Sequence, residues 1–119
     1  MKQELFERYS RLIVNVETED FQRREGIELY KAKLILADGS NLRVSEVSLD
    51  GTLTKYAYYW LDEQNELIQG WDNAPHHPRV DSHPHHSHKE DGILESPVRS
   101  LEDVLEFLNK ELEVKDDEI

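Results

Sequence analysis

The sequence predicts an α+β domain: an antiparallel β-meander of about four or five strands, helices at both chain ends packed on one sheet face, and a long His/Pro-rich loop. Three observations carry that prediction. Apolar runs between residues 27 and 71 are separated by clear turns, two of them Asp-Gly. The segments at the two chain ends have helical apolar spacing, and all six histidines fall between residues 76 and 88. Asp-Gly between apolar runs is a strong short-range hairpin signal, because glycine accepts the positive φ of a tight turn.

Taken in order, Leu5, Phe6, Tyr9, Leu12 and Ile13 predict a helix over residues 2–13. Asn15 to Gly26 is polar and charged and reads as a connection, with at most a short strand at Ile13–Val16. Strands follow at Ile27–Ala37, Leu42–Leu49, Leu53–Leu61 and Leu67–Trp71, joined by Asp38-Gly39-Ser40, Asp50-Gly51 and Asp62-Glu63-Gln64-Asn65. Strand period two sets Tyr56, Tyr58 and Trp60 on one face, where core packing is a better expectation than a base-stacking platform. Asp72 to Pro97 reads as a long loop, and loops of that length inside domains are usually functional or disordered. Ser100 caps a final helix with Asp103 at its third position, and Leu101, Val104, Leu105, Leu108 and Leu112 share one face. Residues 1–115 are expected to form one domain and 116–119 a frayed acidic tail.

Composition narrows the function classes. Leu, Ile, Val and Phe make up over a quarter of the 119 residues, enough for a core. The longest apolar runs are far too short to span a membrane, the N-terminus lacks a secretory pattern, and a cytoplasmic setting is expected. Without cysteine there is no disulfide, no thiolate ligand and no thiol nucleophile. The net charge is −12, half of it in the last twenty residues, which disfavours indiscriminate binding to nucleic acid. Arg8, Arg11, Arg23, Arg24, Lys31, Lys33 and Arg43 read by default as scattered solvated charge, with a local basic surface as the alternative. The acidic residues of the last helix, Glu102, Asp103, Glu106, Glu111 and Glu113, read by default as a solvated face, with docking of a basic partner as the alternative.

The chemistry sits in Trp71-Asp72-Asn73-Ala74-Pro75-His76-His77-Pro78 and Ser82-His83-Pro84-His85-His86-Ser87-His88. Histidine takes and gives protons near neutral pH, and Pro75, Pro78 and Pro84 restrict the residues before them. Three readings are open. Two histidines act as general base and acid in RNA cleavage by the substrate's own 2′-hydroxyl, Asp72 and Asp81 favouring a charged imidazole or fixing its tautomer and Asn73 donating to a phosphate oxygen, with Arg79 or Lys89 pairing to it. Alternatively His85, His86 and His88, with Asp72, hold zinc or nickel. The third reading is a solvated polar loop. Glu46, which interrupts an apolar run, reads as a water-facing strand carboxylate or as a base or ligand reaching the loop.

The residues Asp38-Gly39-Ser40, Glu46, Tyr56-Ala57-Tyr58-Tyr59-Trp60, the Trp71–Pro78 motif, Pro84-His85-His86-Ser87-His88 and Ser96-Pro97 closely resemble the TumE family, small prokaryotic toxins of toxin–antitoxin pairs. The resemblance runs from about Ile27 to Leu108, with little in the first 26 residues or the tail. Where family members often have a basic residue before Trp-Asp-Asn this chain has Gly70, so Arg79 or Arg99 would have to supply that charge. The resemblance implies a helix-turn-helix antitoxin as partner and action on RNA or translation; a homodimer is left open. The preferred reading is a histidine-dependent ribonuclease toxin needing no cofactor, with His76, His77, His86 and His88 as acid/base residues and Asp72 and Asn73 in support. A non-catalytic module binding metal or a partner through the same loop is the rival.

Overall fold

The structure, a computed structural model, describes residues 2–73, 86–89, 92–95 and 100–112, with the backbone alone at 86–89 and 92–95. Helix α1 (Gln3–Arg8) leads into strands β1 (Ile13–Arg24), β2 (Ile27–Leu36), β3 (Asn41–Leu49), β4 (Thr52–Leu61) and β5 (Leu67–Asp72). Short strands β6 (His86–Lys89) and β7 (Gly92–Glu95) follow, and helix α2 (Leu101–Glu111) comes last. Among the described residues the strands form one seven-stranded sheet in sequence order, every neighbour antiparallel. The meander and the two terminal helices are as expected, but the sheet is longer and the fold mostly β.

Two differences lie at the N-terminal end. The helix covers Gln3–Arg8 rather than residues 2–13, because Leu12 and Ile13 are apolar for another reason. Both are buried in the core, and Ile13 already begins β1. The polar segment read as a connection is instead a twelve-residue edge strand. Almost all of β1 is exposed, so its sequence shows no alternation to betray it. Its hairpin partner is reached through Glu25-Gly26, with φ of 53° and 82°, the double positive φ of a two-residue hairpin turn.

The third difference concerns the long loop. His86–Lys89 and Gly92–Glu95 are strands within it, too short and too polar to stand out by periodicity. His76, His77, His83 and His85, with Arg79, Asp81 and Arg99, lie outside the described residues, as do residues 113–119.

One face of the sheet carries the core. Leu34, Leu42, Tyr58, Trp60 and Trp71 pack there against Leu101, Val104, Leu105 and Leu108 of α2, all nearly inaccessible to solvent. The Ser100 hydroxyl caps α2 by accepting from the Asp103 N–H at 3.3 Å. Leu5, Phe6 and Tyr9 pack against the same core, and α1 is tied to α2 by Arg8–Glu102 at 3.1 Å and Tyr9–Glu106 at 2.9 Å. Two carboxylates of the acidic helix face thus have partners within the chain. Tyr56, Tyr58 and Trp60 are core, with the Tyr56 and Tyr58 rings stacked at 5.0 Å. The Trp60 indole N–H donates to Ser40 Oγ at 2.9 Å, which pins the β2–β3 turn to β4.

Glu46 corrects its expectation. It is 7% exposed and lies on the helix-covered face, where Lys2 meets its Oε1 at 2.8 Å and the Tyr58 hydroxyl donates to its Oε2 at 2.5 Å. A carboxylate is retained in such a place only when its charge and lone pairs are answered. Burial together with the Glu46 charge pushes the Tyr58 hydroxyl far above its ordinary value, and burial with a bond to Glu19 does the same for Tyr30. Unfolded tyrosine ionises near 10.0, so above that pH the unfolded chain binds fewer protons than the folded one. Stability should therefore fall as pH rises through the alkaline range, by up to about 1.4 kcal/mol per pH unit for each such tyrosine. In denaturant titrations, Tyr58→Phe should cost about 1–3 kcal/mol at neutral pH yet show a shallower alkaline slope; an unchanged slope would count against this origin.

Candidate functional site

Strand β5 is where the sequence motif meets the sheet. Trp71 pairs with Tyr58 in register and turns into the core, meeting the Phe107 ring edge-on at 5.3 Å. Because strand residues alternate, Gly70 and Asp72 belong to the opposite face, away from the helices. Directly opposed residues share a face, so the register extends that assignment across the sheet. Gly70 opposes Tyr59 on one side and His88 on the other, while Asp72 opposes Ala57 and His86. Asp72 is only 6% exposed.

Tyr59 entered the sequence reading only as part of the Tyr56–Trp60 run, yet it organises this region. Its hydroxyl donates to Asp72 Oδ2 at 3.2 Å, and its ring covers Gly70. A Cβ at position 70 would overlap Tyr59 Cδ1 and Cε1. The space that a side chain at position 70 would need is thus occupied by an aromatic ring of β4. Burial, followed by the Asp72 carboxylate, raises the Tyr59 hydroxyl above its ordinary value and keeps it a donor. Strand parity could have found it, since Tyr59 falls between Tyr58 and Trp60.

Asn73 acts as a clamp. Its Oδ1 accepts from the Tyr56 N–H at 2.9 Å and its Nδ2 donates to the Thr54 carbonyl at 3.0 Å. The side chain continues the ladder one residue past the end of β5.

Of the residues chosen from sequence, the register brings Asp72 and His86 to directly opposed positions, with His88 two residues along the same strand. Opposed residues in such a ladder have Cα atoms about 4.5–5.5 Å apart. Glu46 does not join them, because it lies on the other face. Among the described residues no three histidine or carboxylate side chains form a metal-holding group.

The family described as toxin TumE matches the chain over residues 2–114. The chain belongs to the TumE toxin family. The match reaches well before Ile27, where the resemblance in sequence began, and takes in α1 and β1. No curated protein and no solved structure matches the chain. No helix among the described residues is long and apolar enough to cross a membrane.

Gly70→Ala should drive the Tyr59 ring off β5 and break its bond to Asp72. The expected result is a Tyr59 ionisation moved back toward 10.0 in an ultraviolet tyrosinate titration, with a stability loss of about 1–3 kcal/mol from overpacking. A Tyr59 titration identical to that of the parent protein would show that the ring had never depended on the missing Cβ.

Proposed function

We propose that this chain is the toxin of a toxin–antitoxin pair and cleaves RNA by histidine general acid/base chemistry, with an antitoxin of helix-turn-helix type as its partner. The observation that carries the reading is the Asp72–His86 opposition, beside Tyr59, next to the Asn73-clamped exit of the His/Pro motif. Family membership supports the toxin role.

In the proposed reaction one imidazole removes the proton of a ribose 2′-hydroxyl. The 2′-oxygen bonds to the adjacent phosphorus, the bond from phosphorus to the 5′-oxygen breaks, and a second, protonated imidazole gives its proton to that leaving oxygen. The products are a 2′,3′-cyclic phosphate and a free 5′-hydroxyl. Asp72 is the proposed orienter of an imidazole, fixing its tautomer and stabilising its charged form as carboxylates do beside catalytic histidine, and position 86 is the histidine position opposed to it. His88, His76 and His77 are candidates for the second proton carrier. Asn73 serves as a positioning residue, since its amide is engaged by β4.

Expression of the chain without antitoxin should arrest growth, and His86→Ala, His88→Ala and His76→Ala should each relieve it. Purified protein should leave cyclic-phosphate ends on RNA in the presence of a chelator, with Asp72→Asn reducing the rate by about 10²–10⁴-fold. Stoichiometric zinc or nickel in untagged protein that leaves RNA intact would instead establish the non-catalytic His85, His86, His88 metal reading. Equal growth of parent and variants would remove the toxin reading altogether.

A further inference from the structure

The sheet sorts its charges by face. In β2, β3 and β4 there are four basic residues, Lys31, Lys33, Arg43 and Lys55, and two acidic ones, Glu28 and Glu46. Register and strand parity put all four cations on the face away from the helices and both carboxylates on the helix-covered face. In a chain of net charge −12, this is a local reversal of sign. A groove of about 480 Å³ runs over that face, lined by Thr18, Lys31, Lys33, Arg43, Ser45 and Tyr59.

The cations are also aligned with the candidate site. Lys33 opposes Arg43, Arg43 opposes Tyr59, Tyr59 opposes Gly70, and Gly70 opposes His88. One row perpendicular to the strands therefore joins two cations, an aromatic ring and a histidine position. At about 4.8 Å per strand it is about 19 Å long from Lys33 to His88. The Arg43 guanidinium is held by Asn41 Oδ1 at 2.9 Å and Asn65 Oδ1 at 3.4 Å, both neutral acceptors, so among the described residues no carboxylate cancels its charge. Lys33 meets Glu17 at 2.8 Å at the β1 rim, and Asp20 opposes Lys31. The positive potential is therefore centred on β3 and β4 and fades toward β1.

We infer that single-stranded RNA lies across this face along the Lys33–Arg43–Tyr59 row, its phosphates on Lys31, Lys33 and Arg43 and a base against Tyr59. This deepens the ribonuclease reading and rests on it. Charge complementarity selects a polyanion, and the aromatic ring at the end of the groove selects one with unpaired bases, since stacking on tyrosine needs a base free of its own stack. Backbone contacts supply affinity without sequence preference.

The test uses the full chain carrying His86→Ala to block turnover, and a fluorescent single-stranded oligouridylate followed by anisotropy. Lys31→Gln/Arg43→Gln should weaken binding about tenfold and lower the salt slope by about 1.4, two phosphate contacts on a single strand. Tyr59→Leu should weaken it about tenfold, whereas Tyr59→Phe should retain it. Arg8→Gln/Lys110→Gln, the same charge change on the helical side, should leave binding within twofold. The inference is overturned by absence of RNA binding in the His86→Ala protein, by equal losses in the two double variants, or by unchanged RNA affinity with loss of antitoxin neutralisation in Lys31→Gln/Arg43→Gln. The last result would assign the face to the protein partner. RNA bound along this face but left intact by the parent chain would uphold the path and defeat only the cleavage reading. Undiminished cleavage by Lys31→Gln/Arg43→Gln at limiting RNA would do the reverse.

Discussion

The seating of Trp71 in the core governs this molecule, because a β-strand offers its residues only two directions. With the indole between Tyr58 and the Phe107 ring, Gly70 and Asp72 must belong to the other face, and every neighbouring strand inherits that parity through its register. A slip by one residue would bring Asp72 and Gly70 to the core and leave an indole in water. Burying an aromatic side chain of this size is worth a few kcal/mol, whereas burying an unpaired carboxylate costs several, so the two effects act in the same direction. The placement of the histidine strand is thus a by-product of a hydrophobic anchor on the opposite side of the sheet.

The second face is organised by polar contacts that are each modest. A hydrogen bond such as that between Tyr59 and Asp72 contributes about 1 kcal/mol net. Its effect is positional. It ties β4 to β5 across the one position where no side chain stands, while Asn73 prolongs the ladder by imitating a peptide group. Rigidity is supplied at Asp72 and Asn73, the described start of the sequence motif.

Much of the fold was legible in the sequence, for physical reasons that can be named. Asp38-Gly39 and Asp50-Gly51 marked hairpins because Gly39 and Gly51 adopt positive φ, and Ser100 marked the start of α2 because its hydroxyl satisfies a free N–H. The edge strand β1 was not legible, since a strand exposed on both faces has no reason to alternate. Glu25-Gly26 carries the same turn geometry as Asp50-Gly51, but without an apolar run before it the signal had no context. At the candidate site, Asp72 was found from its motif, whereas Tyr59 had no role of its own and the cations Lys31, Lys33 and Arg43 were read as scattered charge in preference to a basic surface. Residue type announced the first; only register, the pairing of Lys33 with Arg43 and of Arg43 with Tyr59, assembles the others.

The contacts that join the two helices have a consequence for synthesis. Every strand pairs with its neighbour in the chain, so the meander can zip up hairpin by hairpin as it leaves the ribosome, whereas Arg8 waits for Glu102 and Tyr9 for Glu106. Until α2 emerges, Leu34, Leu42, Tyr58 and Trp60 have no roof. A nascent chain halted before residue 100 is an uncovered apolar sheet, prey to chaperones and proteases rather than a half-made toxin. The polypeptide is completed, in effect, by its own lid of leucines.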